Sequence, residues 1–269
     1  MRVGLEVLRA ADGWGRWLAA LAFSLSGFIV TARLAPYSDV SPKLAYLAGF
    51  GLVIVCVSAV AIATPPQRRT CVALAAAGAL GLLVVQQRAA ASESAPWILL
   101  ALLSVGSGLG TWVGSAIEQP GHLLFVALVS SVVDTWSVAH PEGPSATLLQ
   151  RPESLALLAL PWPMLGTRDV APLLGVGDVV FTSLYWSAGR RHGLSALRTS
   201  FAFALAFAAT AISVVVFERA IPVLPFLGAA MLAAHPAARA PQARDRRRGL
   251  WVMTALGLAL AVWVLRRSL

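Results

Sequence analysis

The chain reads as an all-α polytopic membrane protein with about nine transmembrane helices, and three observations lead there. Of its 269 residues, 58% are hydrophobic and only 12% charged, where a globular domain carries roughly 45–50% and about 25%. Mean hydropathy is +0.76, and apolar runs recur from end to end, so no water-facing shell can be assembled and the apolar surface must face lipid. The charges gather at run edges: the net charge is +9, with five arginines between Arg239 and Arg248. That is a pattern of membrane-edge anchoring rather than of nucleic-acid binding. A disordered chain, a disulfide-rich secreted module and an ordinary cytosolic enzyme are excluded. Cys56 and Cys71 lie in or beside apolar runs and read as packing residues.

Windows of about 20 residues with at most one charge place spans at 17–35, 44–64, 70–87, 96–117, 122–139, 170–188, 199–217, 220–236 and 249–265. The first follows Arg2, Arg9 and Arg16, but its basic flank is long for a signal peptide and no A-x-A site follows Val30, so it reads as a retained helix. The next connections are short and punctuated, as in Pro65-Pro66-Gln67-Arg68-Arg69, Ser92-Glu93-Ser94 and Glu118-Gln119-Pro120-Gly121. One connection is longer, 141–169. Its apolar stretch 155–165 is interrupted by Pro161 and Pro163 and is too short to span, which makes it an interfacial or re-entrant segment. His122 and His140 flank the fifth span and read as interfacial; Trp14, Trp17, Trp97 and Trp251 sit near span ends as an aromatic belt. With a cytoplasmic N-terminus and nine alternating spans, thirteen of the 21 basic residues face inward, and the 141–169 connection is exoplasmic.

Of the twelve acidic residues, only Asp134 and Asp178 fall well inside apolar spans. A carboxylate there costs roughly 2.5–3.5 kcal/mol even on lenient insertion scales, a penalty normally tolerated for function. The two spans are consecutive and antiparallel. Counting ~1.5 Å per residue from the shared face puts the carboxyls roughly 8 and 12 Å deep, at similar levels. Two such groups in low dielectric share a proton. An ionised member can then take a proton from water while the protonated one polarises a carbonyl. A polar helix contact or a transporter's proton relay is the alternative from charge placement alone.

Asp178 ends Gly175-Val176-Gly177-Asp178, a GxGD string that leaves no side chains one and three residues before the acid. Around Asp134 the chain reads Val133-Asp134-Thr135-Trp136-Ser137-Val138-Ala139-His140-Pro141-Glu142-Gly143-Pro144, and the eighth span opens Ala220-Ile221-Pro222-Val223-Leu224-Pro225. Taken together, these motifs resemble the presenilin and signal peptide peptidase family of intramembrane aspartyl proteases. That family has an Asp in one helix, GxGD in the next and Pro-Ala-Leu two helices later, here Pro222-Val223-Leu224. The Asp-x-x-x-Val-x-x-Pro-x-Gly-Pro run, Phe181 and Ser183 after GxGD, and the doubled proline look like presenilin in particular. The resemblance covers roughly 122–236. Val133 stands where the family usually has Tyr, four spans precede the Asp134 helix where the family has five, and the span 249–265 is additional.

The resemblance implies a catalytic dyad of Asp134 and Asp178, with Gly175, Gly177, Pro222, Val223 and Leu224 bordering a substrate made extended before cleavage. It divides the chain into a four-helix region at 1–120, a catalytic region at 121–237, and a basic loop with an extra helix at 238–269. No metal or organic cofactor and no obligatory partner subunit is implied. The expected partners are a single-span transmembrane substrate and the bilayer, with anionic lipid at Arg244, Arg246, Arg247 and Arg248. The expected location is a prokaryotic inner or plasma membrane. A prepilin-type peptidase also carries GxGD, but a basic residue typically follows it, and here Val179, Val180 and Phe181 follow. A proton-coupled transporter or a non-catalytic scaffold is the reading from a different class.

Overall fold

The computed structural model describes residues 2–87 and 91–247 and, beyond these, 249, 251, 254, 255 and 257. The chain is 78% helical, an integral membrane protein by the length and composition of its helices. Among the described residues, six helices are long and apolar enough to cross a bilayer, with spans Gly13–Tyr37, Pro42–Ala63, Arg68–Gln86, Glu93–Ala116, His122–Ala139 and Ala196–Phe217. The first lies in α1 (Arg2–Leu34) and the short 3-10 turn after it. The others are α2 (Pro42–Ala63), α3 (Arg68–Gln86), α4 (Ala91–Ala116), α5 (His122–Ala139) and α9 (Ala196–Phe217). Large apolar side chains such as Leu80, Leu197, Phe201 and Val216 point outward, as lipid-facing surfaces require.

Two expected spans take other forms. Over 170–188 the chain is first a strand, β2 (Val170–Gly175), and only then a helix, α8 (Val176–Arg191). The strand pairs antiparallel with β1 (Ala159–Pro163), inside the connection read as re-entrant. Prolines explain the change. Pro161, Pro163 and Pro172 bias Leu160, Trp162 and Ala171 toward extended backbone and withhold the N–H groups a helix needs. Pro161 sits opposite Pro172, beside a register irregularity at Leu160/Pro161. Before β1 the connection forms two short helices, α6 (Pro144–Leu149) and α7 (Pro152–Leu158). Over 220–236 the helix starts only at Leu224, after an unwound Pro222-Val223. The resulting α10 (Leu224–Ala234) has 11 residues, about 17 Å at ~1.5 Å per residue. That is too short to cross a core of about 30 Å alone. The ninth span, 249–265, lies outside the described residues except for the five positions named above.

The core centres on α4, which packs α3 on one side and α8 on the other. Small residues permit the approach. On the α8 side, a Cβ on Gly106 would lie 2.7 Å from Val179 Cβ, and Cβ atoms on Gly110 and Gly114 would run into the carbonyls of Val180 and Leu184. On the α3 side, a Cβ on Gly108 would sit 2.7 Å from the Cys71 carbonyl, while Gly78 of α3 clears Ala101 of α4. Backbones this close gain dispersion contacts that lipid cannot replace. The Ser187 hydroxyl donates to the Thr111 carbonyl at 3.0 Å across the same seam. At the far end of α8, the Arg190 guanidinium donates to the Ile62 and Thr64 carbonyls at 2.7 and 3.1 Å, capping the C-terminus of α2. The sheet is anchored here too, through fully buried Leu160 and Trp162, the latter edge-on to Phe28 at 5.7 Å. Cys56 and Cys71 are both buried and free, as packing residues.

Candidate functional site

Asp178 occupies the first turn of α8, three residues after the strand ends. Its Oδ2 accepts a hydrogen bond from the Gly175 N–H at 3.1 Å, so the carboxylate satisfies an otherwise orphaned donor at its own helix start. Only two residues separate the strand's last position from Asp178, which ties the carboxyl directly to the sheet. Its depth thus follows from a strand-to-helix junction rather than from a helix beginning at 170.

Asp134 lies in α5, five residues before that helix ends at Ala139. Its Oδ2 accepts from the Leu224 N–H at 2.9 Å, and the Val223 N–H is directed at the same carboxylate. Asp134 therefore caps α10 from a different helix, using the N–H groups that have no intrahelical partner where α10 begins after Pro222, with Pro225 in its first turn. This alters the expectation for Pro222, Val223 and Leu224. The Leu224 amide is already engaged by Asp134, and Pro222 has no N–H, so these residues hold the carboxylate as much as they border a ligand.

Both aspartates open onto one cavity of about 270 Å³. Gly175, Pro222 and Val223 line it as well, and so do Pro172, Leu173 and Leu174 of β2. The Asp134 charge acts on Asp178 across it, so the two carboxyls interact electrostatically. Of the sequence-derived residues, Gly177 is exposed, with open space where a Cβ would point, and Leu224 faces an adjoining groove. Neither motif glycine packs against a partner helix. Gly175 approaches only the Asp178 carboxylate, 3.4 Å from its would-be Cβ.

Other wall residues were not singled out by sequence. Tyr46 of α2, stacked on Phe50 at 5.7 Å, brings a phenol to the cavity. Ser145 of α6 also reaches it, held by the Ser137 hydroxyl, which receives the Ser145 N–H at 2.9 Å and pairs with its side chain at 2.8 Å. A tyrosine within an apolar run was a usable signal for the first; no local pattern marks the second. Among the described residues no group of three or more His, Cys, Asp or Glu could hold a metal ion.

Two carboxyls that open onto one small, mostly apolar cavity can divide acid and base roles on a water molecule, and a strand beside them offers main-chain pairing to an extended peptide. No family model, curated protein or solved structure matches the chain.

Proposed function

We propose that this protein is an intramembrane aspartyl protease, presenilin-like in its catalytic helix set, with Asp134 and Asp178 as the dyad. The observation that carries this reading is that two carboxyls, on helices that share no local sequence, open onto one cavity beside a strand that, among the described residues, pairs along one edge. A helical peptide bond is closed to attack, so the substrate, a single transmembrane segment, unwinds locally and extends along β2. The ionised aspartate takes a proton from water while its partner donates to the scissile carbonyl oxygen. The resulting gem-diol then collapses, with the leaving amine taking a proton from the dyad. The protein sits in a prokaryotic plasma membrane, with the basic 244–248 stretch against anionic headgroups.

The test is cleavage of a synthetic transmembrane peptide by purified protein in detergent, blocked by a transition-state mimic of aspartic proteases. Asp134→Asn and Asp178→Asn should each abolish cleavage while folding is retained, because an amide oxygen still accepts the capping hydrogen bonds but cannot exchange the proton. Activity should follow a bell-shaped pH profile, since the doubly protonated and doubly ionised pairs each lack one role. A second reading, a scaffold without proteolysis, draws on the same capping bonds: each carboxylate already serves a helix start. Cleavage persisting in either Asn variant rules out the dyad, and absence of cleavage in the parent protein favours the scaffold.

A further inference from the structure

Three side-chain hydroxyls line the cavity shared by the two carboxyls, those of Tyr46, Ser145 and Thr210. Two of them are engaged within the protein. The Ser145 hydroxyl is paired with that of Ser137 at 2.8 Å, and the Thr210 hydroxyl donates to the Ala206 carbonyl at 2.9 Å. The Tyr46 hydroxyl makes no hydrogen bond among the described residues, although its residue is half-buried. A phenol set in an apolar wall ordinarily finds a partner.

The placement of Tyr46 follows from its neighbours on α2. Lys43, Tyr46 and Phe50 stand at i, i+3 and i+7, which is one stripe of the helix. That stripe is held at both ends: Lys43 Nζ lies 2.8 Å from Glu218 Oε1, just after α9, and the Phe50 ring meets Phe207 of α9 edge-on at 6.3 Å. Between them, Tyr46 is turned toward α9 and the chain that leads to Pro222. On another side of α2, a Cβ on Gly49 would lie 3.1 Å from Leu173 Cδ1, which brings β2 alongside. Tyr46 thus belongs to the wall between the strand and the Pro222 turn, the two stretches of backbone beside the carboxyls.

Hydrogen-bond donors are scarce in that wall. The Gly175 N–H is given to Asp178, the Val223 and Leu224 N–H groups are directed at Asp134, and Pro172 and Pro222 have none. An extended peptide entering the cavity bares carbonyls that its helix had satisfied, and away from water each of them needs a donor.

We propose that the Tyr46 hydroxyl is such a donor, hydrogen-bonding to a main-chain carbonyl of the extended substrate beside the dyad; the role rests on the proteolytic reading. A helical segment cannot make this bond from its interior, where the carbonyls are already bonded to their own N–H groups. Tyr46 therefore favours the unwound form of the substrate. No proton leaves the phenol, and acid–base exchange stays with Asp134 and Asp178.

Tyr46→Phe keeps the ring stacked on Phe50 and removes only the hydroxyl. The probe is a peptide hydroxyethylene isostere, extended and uncleavable, titrated into purified full-length protein in detergent. Tyr46→Phe should weaken its binding about tenfold, the effect of leaving one buried carbonyl without its donor, and should lower kcat/KM for a synthetic transmembrane peptide by a similar factor. The thermal midpoint of the free protein should not move, since the hydroxyl has no partner there to lose. Binding within about twofold of the parent overturns the proposal and leaves the proteolytic reading intact. A lowered midpoint in the free variant also overturns it, by giving the hydroxyl a structural partner. A parent chain that neither binds the isostere nor cleaves the peptide removes both readings, whereas one that binds it through Tyr46 and cleaves nothing keeps the donor and removes the protease.

Discussion

The seam between α4 and α8 and the contact between α5 and α10 each carry one of the two aspartates into place, by opposite means. Along the first, Gly106, Gly110 and Gly114 recur every fourth residue and bring the backbones so close that two of the three would-be Cβ atoms run into carbonyl groups. The far end of α8 is pinned as well, by Arg190 on α2 and by His192 Nε2 at 3.0 Å from the Ile117 carbonyl. Along the second, the approach is close but less so: a Cβ on Gly228 would lie 3.0 Å from Ala127 Cβ, and α10 begins only where Asp134 caps it. Asp178 thus stands on a helix fixed by close packing, and Asp134 on one side of a joint held by its own carboxylate. A site that must admit a ligand between the two carboxyls can yield at the joint without disturbing the seam.

The largest effect should come from breaking the seam. Gly110→Leu cannot be accommodated without separating α4 from α8, and overpacking of this kind costs about 3 kcal/mol or more; detergent-solubilised protein should show a strongly lowered thermal midpoint. Asp134→Ala removes the cap on α10 and should cost about 0.5–2 kcal/mol, with Asp134→Asn recovering most of it. Equal stability of the Ala and Asn variants would mean that the joint does not depend on this bond. Gly228→Ala, by contrast, should cost clearly less than Gly110→Leu, because one methyl asks α5 and α10 to part by only a few tenths of an ångström and helix propensity favours Ala. A loss as large as that of Gly110→Leu would erase the distinction between the two contacts.

The smallest effect concerns the exposed pair Lys43–Glu218, 2.8 Å apart, which links the start of α2 to the loop leading into Pro222. The Lys43 ammonium, hydrogen-bonded to Glu218, holds that carboxyl below its ordinary range. A lowered carboxylate contributes stability above the unfolded-state value and loses it as pH falls through the folded one. Lys43→Gln should therefore lower stability only slightly near neutral pH, because solvent screens an exposed pair, and the difference from the parent should vanish in acid. A difference that grows on acidification would mean that Glu218 does not titrate as this pair requires.

Much of the site was legible because carboxylates in apolar runs are costly enough to stand out, and Asp134 and Asp178 do line one cavity. The strand was not, because a hydropathy window responds to how apolar a stretch is and not to its backbone. The signs were Pro161 and Pro163, which marked the connection as irregular, and Pro172, which stood inside the stretch expected to span; none revealed that the two arms pair. The bond from Leu224 to Asp134 joins residues 90 apart, and no local pattern anticipates it. The glycines of α4 were readable as a close-packing stripe, since small residues every fourth position have that meaning between membrane helices.

One further property follows from the junction of β2 with α8. Gly175 closes the strand and donates to Asp178, so the carboxyl is yoked to the strand's register. Sliding β2 along β1 by a single residue would carry Gly175 about 3.3 Å along the strand axis and invert the faces of its neighbours. Opposite one another, Pro161 and Pro172 contribute no N–H to the ladder, and the irregularity beside them gives the two strands a notch that a slipped pairing would not match. The position of the Asp178 carboxyl in the first turn of α8 is therefore set by the register of a hairpin formed by residues 159–175 as well as by the packing of α8 itself.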